Sequence, residues 1–219
     1  RQMCIRDSIR QIAVHQPQVK FLVPLGLKKL LLEWGANDVI ELDWEFDVPQ
    51  ILEQLEELDS EFITGPNGKH ALNLTGDTKS IGVDSKDKHN ADQEYTEHLQ
   101  AIPQLKAFFD CWEKLARCRC IKIDEGGFFS LHRDAWRFNP QMRIFIPLNK
   151  TERHEWNFIY DNSLHDFKPG KAYVLNTRKQ HGSFAFEGGI YHVLMSLYLT
   201  EENIRSIHKM LPNTMGDKK

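Results

Sequence analysis

The sequence predicts a mainly β domain with flanking helices. Three observations carry that expectation. Seven short β-rich runs crowd into residues 118–199, turn signals separate them, and amphipathic helical segments lie on either side. In chain order, residues 25–34 read as a short helix stopped by Gly35, and 39–46 as a strand. Pro49 opens a helix through Leu58, with Ile51, Leu52, Leu55 and Leu58 on one stripe. Residues 76–92, rich in Asp, Lys, Ser and Gly, read as a surface loop. Pro103 starts a second amphipathic helix whose inner face is Leu105, Phe108, Phe109, Trp112 and Leu115.

The texture changes at Arg117. The runs 118–123, 128–134, 142–148, 156–160, 172–175, 182–186 and 191–199 follow one another, punctuated by Asp124-Glu125-Gly126-Gly127, Pro169-Gly170 and Gly188-Gly189. Short strands with close turns predict an antiparallel sandwich or open barrel. Thr200 then caps a final helix, with Glu201 and Glu202 in its first turn and Lys209 near its end. No internal repeat or low-complexity tract is visible.

The 219 residues fit one domain over 9–219: a mixed helical cap with the first strands over 9–116, a β core over 117–199 and a terminal helix over 200–211. Hydrophobic residues at 41% and charged residues at 27% are ordinary for a globular chain. A net charge of −3 argues against a nucleic-acid-binding face. The longest apolar stretch, 21–32, is broken by Pro24, Gly26, Lys28 and Lys29, so no membrane-spanning helix is expected. Cys4, Cys111, Cys118 and Cys120 do not read as a disulfide framework, which favours a reduced, cytoplasmic setting. The opening RQMCIRDS lacks the apolar core of a signal peptide and reads as a non-native leader, 1–8.

Chemistry concentrates in His132-Arg133-Asp134 and in His181, 47 residues after Asp134. On a strand, residues i and i+2 face the same way, so His132 and Asp134 can clasp one ion. A histidine from a neighbouring strand completes the set. Two imidazoles and one carboxylate leave three coordination positions open, as non-haem Fe(II) requires for a bidentate co-substrate and O2. His15, His70, His89, His98, His154, His165 and His208 read as ordinary surface or core-edge residues. His132-Arg133-Asp134 with Asn139 also spells the kinase catalytic-loop pattern. A Gly-rich loop and a lysine-bearing strand are missing, Asp166-Phe167 is followed by Lys168, and the following region is strand-rich, so the kinase reading is rejected.

The pieces CIKIDEGGFFSLHRD, MRIFIPL, FKPGKAYVLNTRKQHGS and IYHVLMSL, in this order, resemble the aspartyl/asparaginyl β-hydroxylase family of 2-oxoglutarate oxygenases, which includes free-proline hydroxylases. The resemblance covers residues 118–199. It implies a double-stranded β-helix (jelly-roll, cupin-like) that holds Fe(II) through His132, Asp134 and His181 and takes 2-oxoglutarate as co-substrate with O2. Arg143 lies where the family places an arginine, and its planar fork suits the far carboxylate of 2-oxoglutarate. The family's second arginine, about ten residues beyond the distal histidine, is here His192. A histidine carries less charge near neutral pH, so Arg143 does most of the anchoring, another cation such as Lys122 substitutes, or affinity for 2-oxoglutarate is modest. Trp136 and Arg178 are the candidate substrate contacts. The implied substrate is an amino acid, free (proline-like) or peptidyl (Asp/Asn-like). The rival reading is a cupin-like metal-binding barrel that holds a small ligand without oxidising it.

Overall fold

A computed structural model describes residues 39–79, 94–134 and 141–212. The helix expected at 25–34, most of the 76–92 loop, the leader 1–8 and Trp136 lie outside the described residues.

The eleven described strands form two antiparallel sheets. Strands β4 (Arg119–Ile123), β6 (Gln141–Pro147), β9 (Lys171–Leu175) and β11 (Ile190–Tyr198) lie in the larger one. Strands β5 (Phe128–His132), β7 (Trp156–Tyr160), β8 (Ser163–His165) and β10 (His181–Ala185) make the smaller one. Spatial orders of β4-β11-β6-β9 and β5-β10-β7-β8 mean that the chain passes back and forth between the sheets. That winding is a double-stranded β-helix, the jelly roll. The larger sheet is extended by β1 (Val39–Glu45) beside β9, and by β3 (Lys69–Asn73) and β2 (Ile63–Thr64) beside β4.

Both faces of the larger sheet are buried, so its strands are apolar on both sides. Outward, Met142, Ile144, Ile146, Val193, Met195, Leu197, Cys118 and Cys120 meet the helices. Inward, Ile121, Ile123, Phe145, Tyr173, Leu175 and Ile190 meet Trp156, Phe158, Tyr160 and Ala185 of the smaller sheet. Each large side chain removed from water there contributes about 1.5–3 kcal/mol. Helix α1 (Val48–Glu57) lays Ile51 and Leu55 on the outer core, and the Asp47 side chain caps it by accepting from the Gln50 amide. After α2 (Glu97–Gln100), α3 (Pro103–Phe109) packs Phe108 edge-on against Phe46 and Trp112. The Thr200 side chain accepts from the Asn203 amide at 3.1 Å and caps α4 (Glu201–Lys209) as the sequence predicts. No helix among the described residues is long and apolar enough to cross a membrane. The thiols of Cys111, Cys118 and Cys120 are free, and burial pushes Cys118 up to about 11, so it stays protonated.

The structure departs from the sequence reading at four places. The second helix ends at Phe109, because Leu115 bridges Leu197 and the Ala116 amide donates to the Ser196 carbonyl. Pairing with β11 overrides the helical period there. β5 stops at His132, which leaves Asp134 beyond the strand end. β3, Lys-His-Ala-Leu-Asn, carries no β-branched or aromatic residue and gave no strand signal. β8 is three residues long, too short for a period.

Candidate metal centre

β5 and β10 are hydrogen-bonded neighbours, and His132 stands directly opposite His181. Two residues further along β10, Ser183 pairs with Phe129, three residues back along β5. The extra β5 residue is a bulge, and it reverses the alternation so that His132 and Phe129 share the inward face. Gly182 sits against the bulge: a Cβ there would lie 2.8 Å from the Phe129 carbonyl oxygen and 3.1 Å from the Leu131 nitrogen.

The result is a convergent donor set. Ligand atoms of His132, Asp134 and His181 lie within 4.8 Å of one another. The two imidazole centroids are 4.3 Å apart, and His132 Nε2 is 3.6 Å from Asp134 Oδ1. Each ring turns Nδ1 to the carbonyl two residues before it: His132 to Ser130 at 2.7 Å and His181 to Lys179 at 2.9 Å. A hydrogen-bonded Nδ1–H fixes the tautomer and leaves the Nε2 lone pair for a metal. Burial holds His181 below the ordinary histidine range despite the Lys179 carbonyl, so it is neutral near pH 7. Burial works against ionisation of Asp134, but Arg143, a hydrogen bond from the Thr177 side chain and His181 hold its carboxyl below the usual range. The Asp134 amide donates to the Thr177 carbonyl at 2.9 Å, so the turn after β9 fixes the residue at both ends. Neutral imidazoles and an ionised carboxylate are the forms that bind a divalent cation.

Arg143 stands on the inward face of β6, off the apolar row, as its spacing predicts. Its Nε donates to Asp134 Oδ2 at 3.2 Å and its Nη1 donates to Ser196 Oγ. The guanidinium is therefore bound to the carboxylate of the donor set. Arg143→Gln is expected to lower affinity for a divalent metal by about 10- to 100-fold, the usual loss for an outer-shell partner. Anaerobic titration measures it, and unchanged affinity would remove this role.

His192 is 3% exposed on the inward face of β11. Its ring centroid lies 5.1 Å from Phe145, 6.0 Å from Phe129 and 6.1 Å from Trp156. Burial, with Arg119 acting the same way, drives its pKa down to about 3, so it is uncharged. Lys122 lies on the opposite face of its sheet, ion-paired with Asp59, and does not reach the inter-sheet space. Arg178 is exposed in the turn between β9 and β10. Sequence reasoning missed Thr177, Gly182 and the bulge. Thr177 precedes His181 by four residues in the same turn, and that proximity was its only signal.

No family model and no curated protein matches this chain in sequence. In structure it is similar to a Trichoplax adhaerens prolyl hydroxylase solved with a hypoxia-inducible-factor peptide fragment. That match has a TM-score of 0.54 at 13% identity and covers 80% of this chain and 90% of that one. It is similar to a 2OG-Fe(II) oxygenase family oxidoreductase of Burkholderia pseudomallei, with a TM-score of 0.51 at 14% identity, covering 76% and 86%. It is also similar to HygX of Streptomyces hygroscopicus, solved with nickel and 2-oxoglutarate, with a TM-score of 0.51 at 9% identity, covering 78% and 86%. At these identities the likeness is one of fold: the chain is a double-stranded β-helix of the kind those three proteins share, with a His-Asp-His cluster between its sheets.

Proposed function

We propose that this chain is an iron(II)- and 2-oxoglutarate-dependent oxygenase that hydroxylates an amino acid, free (proline-like) or peptidyl (Asp/Asn-like). The observation that carries the reading is the convergence of His132, Asp134 and His181, with both Nε2 atoms free to ligate. Two imidazoles and one carboxylate fit ferrous iron and leave half of an octahedral sphere for other ligands. Bound iron would supply what the side chains lack, O2 activation coupled to decarboxylation of a 2-oxo acid and oxidation of an unactivated C–H bond.

The protein's own part is positional. Ser130 and Lys179 hold the imidazole tautomers, and Thr177 and Arg143 hold the carboxylate. The aromatic wall of Phe145, Trp156 and Phe158 keeps water from the inner end. The His132 side chain is 42% exposed whereas His181 is buried, so substrate approaches from the His132 side. Arg178, exposed in the turn before β10, is the candidate partner for a substrate carboxylate.

A panel of free amino acids and short peptides, incubated with Fe(II), O2 and 2-oxoglutarate, tests the proposal. Succinate should form together with a product heavier by one oxygen atom. Tight metal binding with no binding of 2-oxoglutarate would instead mark a metal-holding barrel without oxidative chemistry.

A further inference from the structure

A second guanidinium faces the space between the sheets, away from the donor set. Along β4, Cys118 and Cys120 enter the helix-covered core while Ile121 and Ile123 enter the inter-sheet core, which puts Arg119 on the inter-sheet face. Arg119 stands opposite Leu194, so its diagonal neighbours on β11 are His192 and Ser196, about 7–8 Å away in such a ladder. Ser196 already accepts from Arg143. No hydrogen bond or ion pair joins the Arg119 side chain to another described residue. Nδ1 of His192 on β11 and Nε1 of Trp156 on β7, one from each sheet, are buried with no partner among the described residues. Their rings are 6.1 Å apart. Each buried group left unmatched costs about 1–3 kcal/mol. Such a cluster calls for a ligand that brings acceptor atoms.

We propose that Arg119, with Nδ1 of His192 and Nε1 of Trp156 beside it, receives the far carboxylate of 2-oxoglutarate inside the barrel, while Arg143 serves Asp134. The assignment rests on the oxygenase reading. It moves the anchoring cation from β6 and β11 to β4, and it accounts for a histidine at 192. A neutral His192 contributes a directional hydrogen bond, and the charge comes from the next strand. Electrostatics agree. Burial lowers the Arg119 pKa to about 9, Arg117 and Arg143 act in the same direction, and no carboxylate among the described residues offsets them. Arg119 still carries its proton at neutral pH, in surroundings that an anion would relieve. The rings of Phe129 and Phe145 flank His192, which is buried, and a charge-assisted hydrogen bond made beside it is strengthened by those apolar surroundings. Lys69, poised 4.1 Å over the Phe129 ring, adds positive charge at the same end.

The test compares 2-oxoglutarate with pyruvate, which keeps the 2-oxo acid head and lacks the far carboxylate. Affinities of the Mn(II)-loaded protein are read by calorimetry and by the fluorescence of its tryptophans. The parent protein should prefer 2-oxoglutarate. Arg119→Gln should weaken 2-oxoglutarate binding by about 10- to 100-fold and leave pyruvate and Mn(II) affinities unchanged. Arg119→Lys should restore part of the preference. Arg143→Gln should weaken Mn(II) and keep the ratio of 2-oxoglutarate to pyruvate. Should the glutamine variant fail to fold, Arg119→Met fills the same space without the charge and gives the same reading. A preference that survives loss of the Arg119 charge overturns this assignment alone. A parent protein that does not distinguish the two acids overturns the oxygenase reading with it.

Discussion

His181→Ala is expected to abolish metal binding and, with it, succinate formation. The ring is buried, stacks 6.4 Å from Phe158 and faces His132 at 4.3 Å, so no other described histidine is placed to replace its Nε2. What remains is His132 and Asp134, two residues apart on the exposed side of the cluster. Losing a mere outer-shell partner costs about 10- to 100-fold in affinity, so losing a ligand should exceed about 100-fold. A readout independent of turnover is thermal stability. A metal at about 100 times its Kd stabilises the folded state by about 2.7 kcal/mol, roughly 5–10 °C in Tm for a domain of this size. The parent protein should show that rise and His181→Ala should not, with circular dichroism unchanged between them. A full metal-dependent rise in the variant would discard His181 as a ligand.

Much of this site was legible before any coordinates, because its signal is local. The His132–Asp134 spacing, the turn pairs that bound the strands and the alternation that sets Arg143 apart from Met142, Ile144 and Ile146 are all short-range patterns. The runs at 156–160, 172–175 and 182–186 lie within a residue of β7, β9 and β10 for the same reason. What pairing decides was not legible. The sequence assigns Arg143 to the far carboxylate of 2-oxoglutarate, and nothing in it announces the hydrogen bond from its Nε to Asp134, which the turn after β9 holds. In β4, period two separates Arg119 from Cys118 and Cys120. Both faces of that sheet are buried, however, so alternation alone could not say which one looks into the barrel. The unmatched atoms of His192 and Trp156, from opposite sheets, come together only when the sheets close.

Gly182→Ala should lower both stability and metal affinity, and its sign is a direct test of the bulge. Gly182 is central in its sheet, paired with Ile159 on β7 and lying beside the β5 bulge. Its backbone is not in the left-handed region, so alanine suits its conformation. On that ground alone the substitution would stabilise by about 0.4–1 kcal/mol through the unfolded chain. Space opposes this. The added Cβ would approach the Phe129 carbonyl to 2.8 Å, and the other close atoms also belong to the Leu131 backbone, which cannot rotate aside. Overpacking of this kind costs about 1–3 kcal/mol, roughly 2–12 °C in Tm at this chain length. The cheapest relief is to move the β5 backbone outward, and His132 rides on that segment one residue beyond Leu131. Metal affinity should therefore fall by about tenfold or more, since a ligand displaced by even an ångström loses its geometry. Phe184→Ala, on the outward face of the same strand and 41% exposed, should change neither quantity much. A Gly182→Ala protein with raised Tm and intact metal binding would mean that β5 has room to spare. His132 would then owe its orientation to something other than the extra residue opposite Gly182.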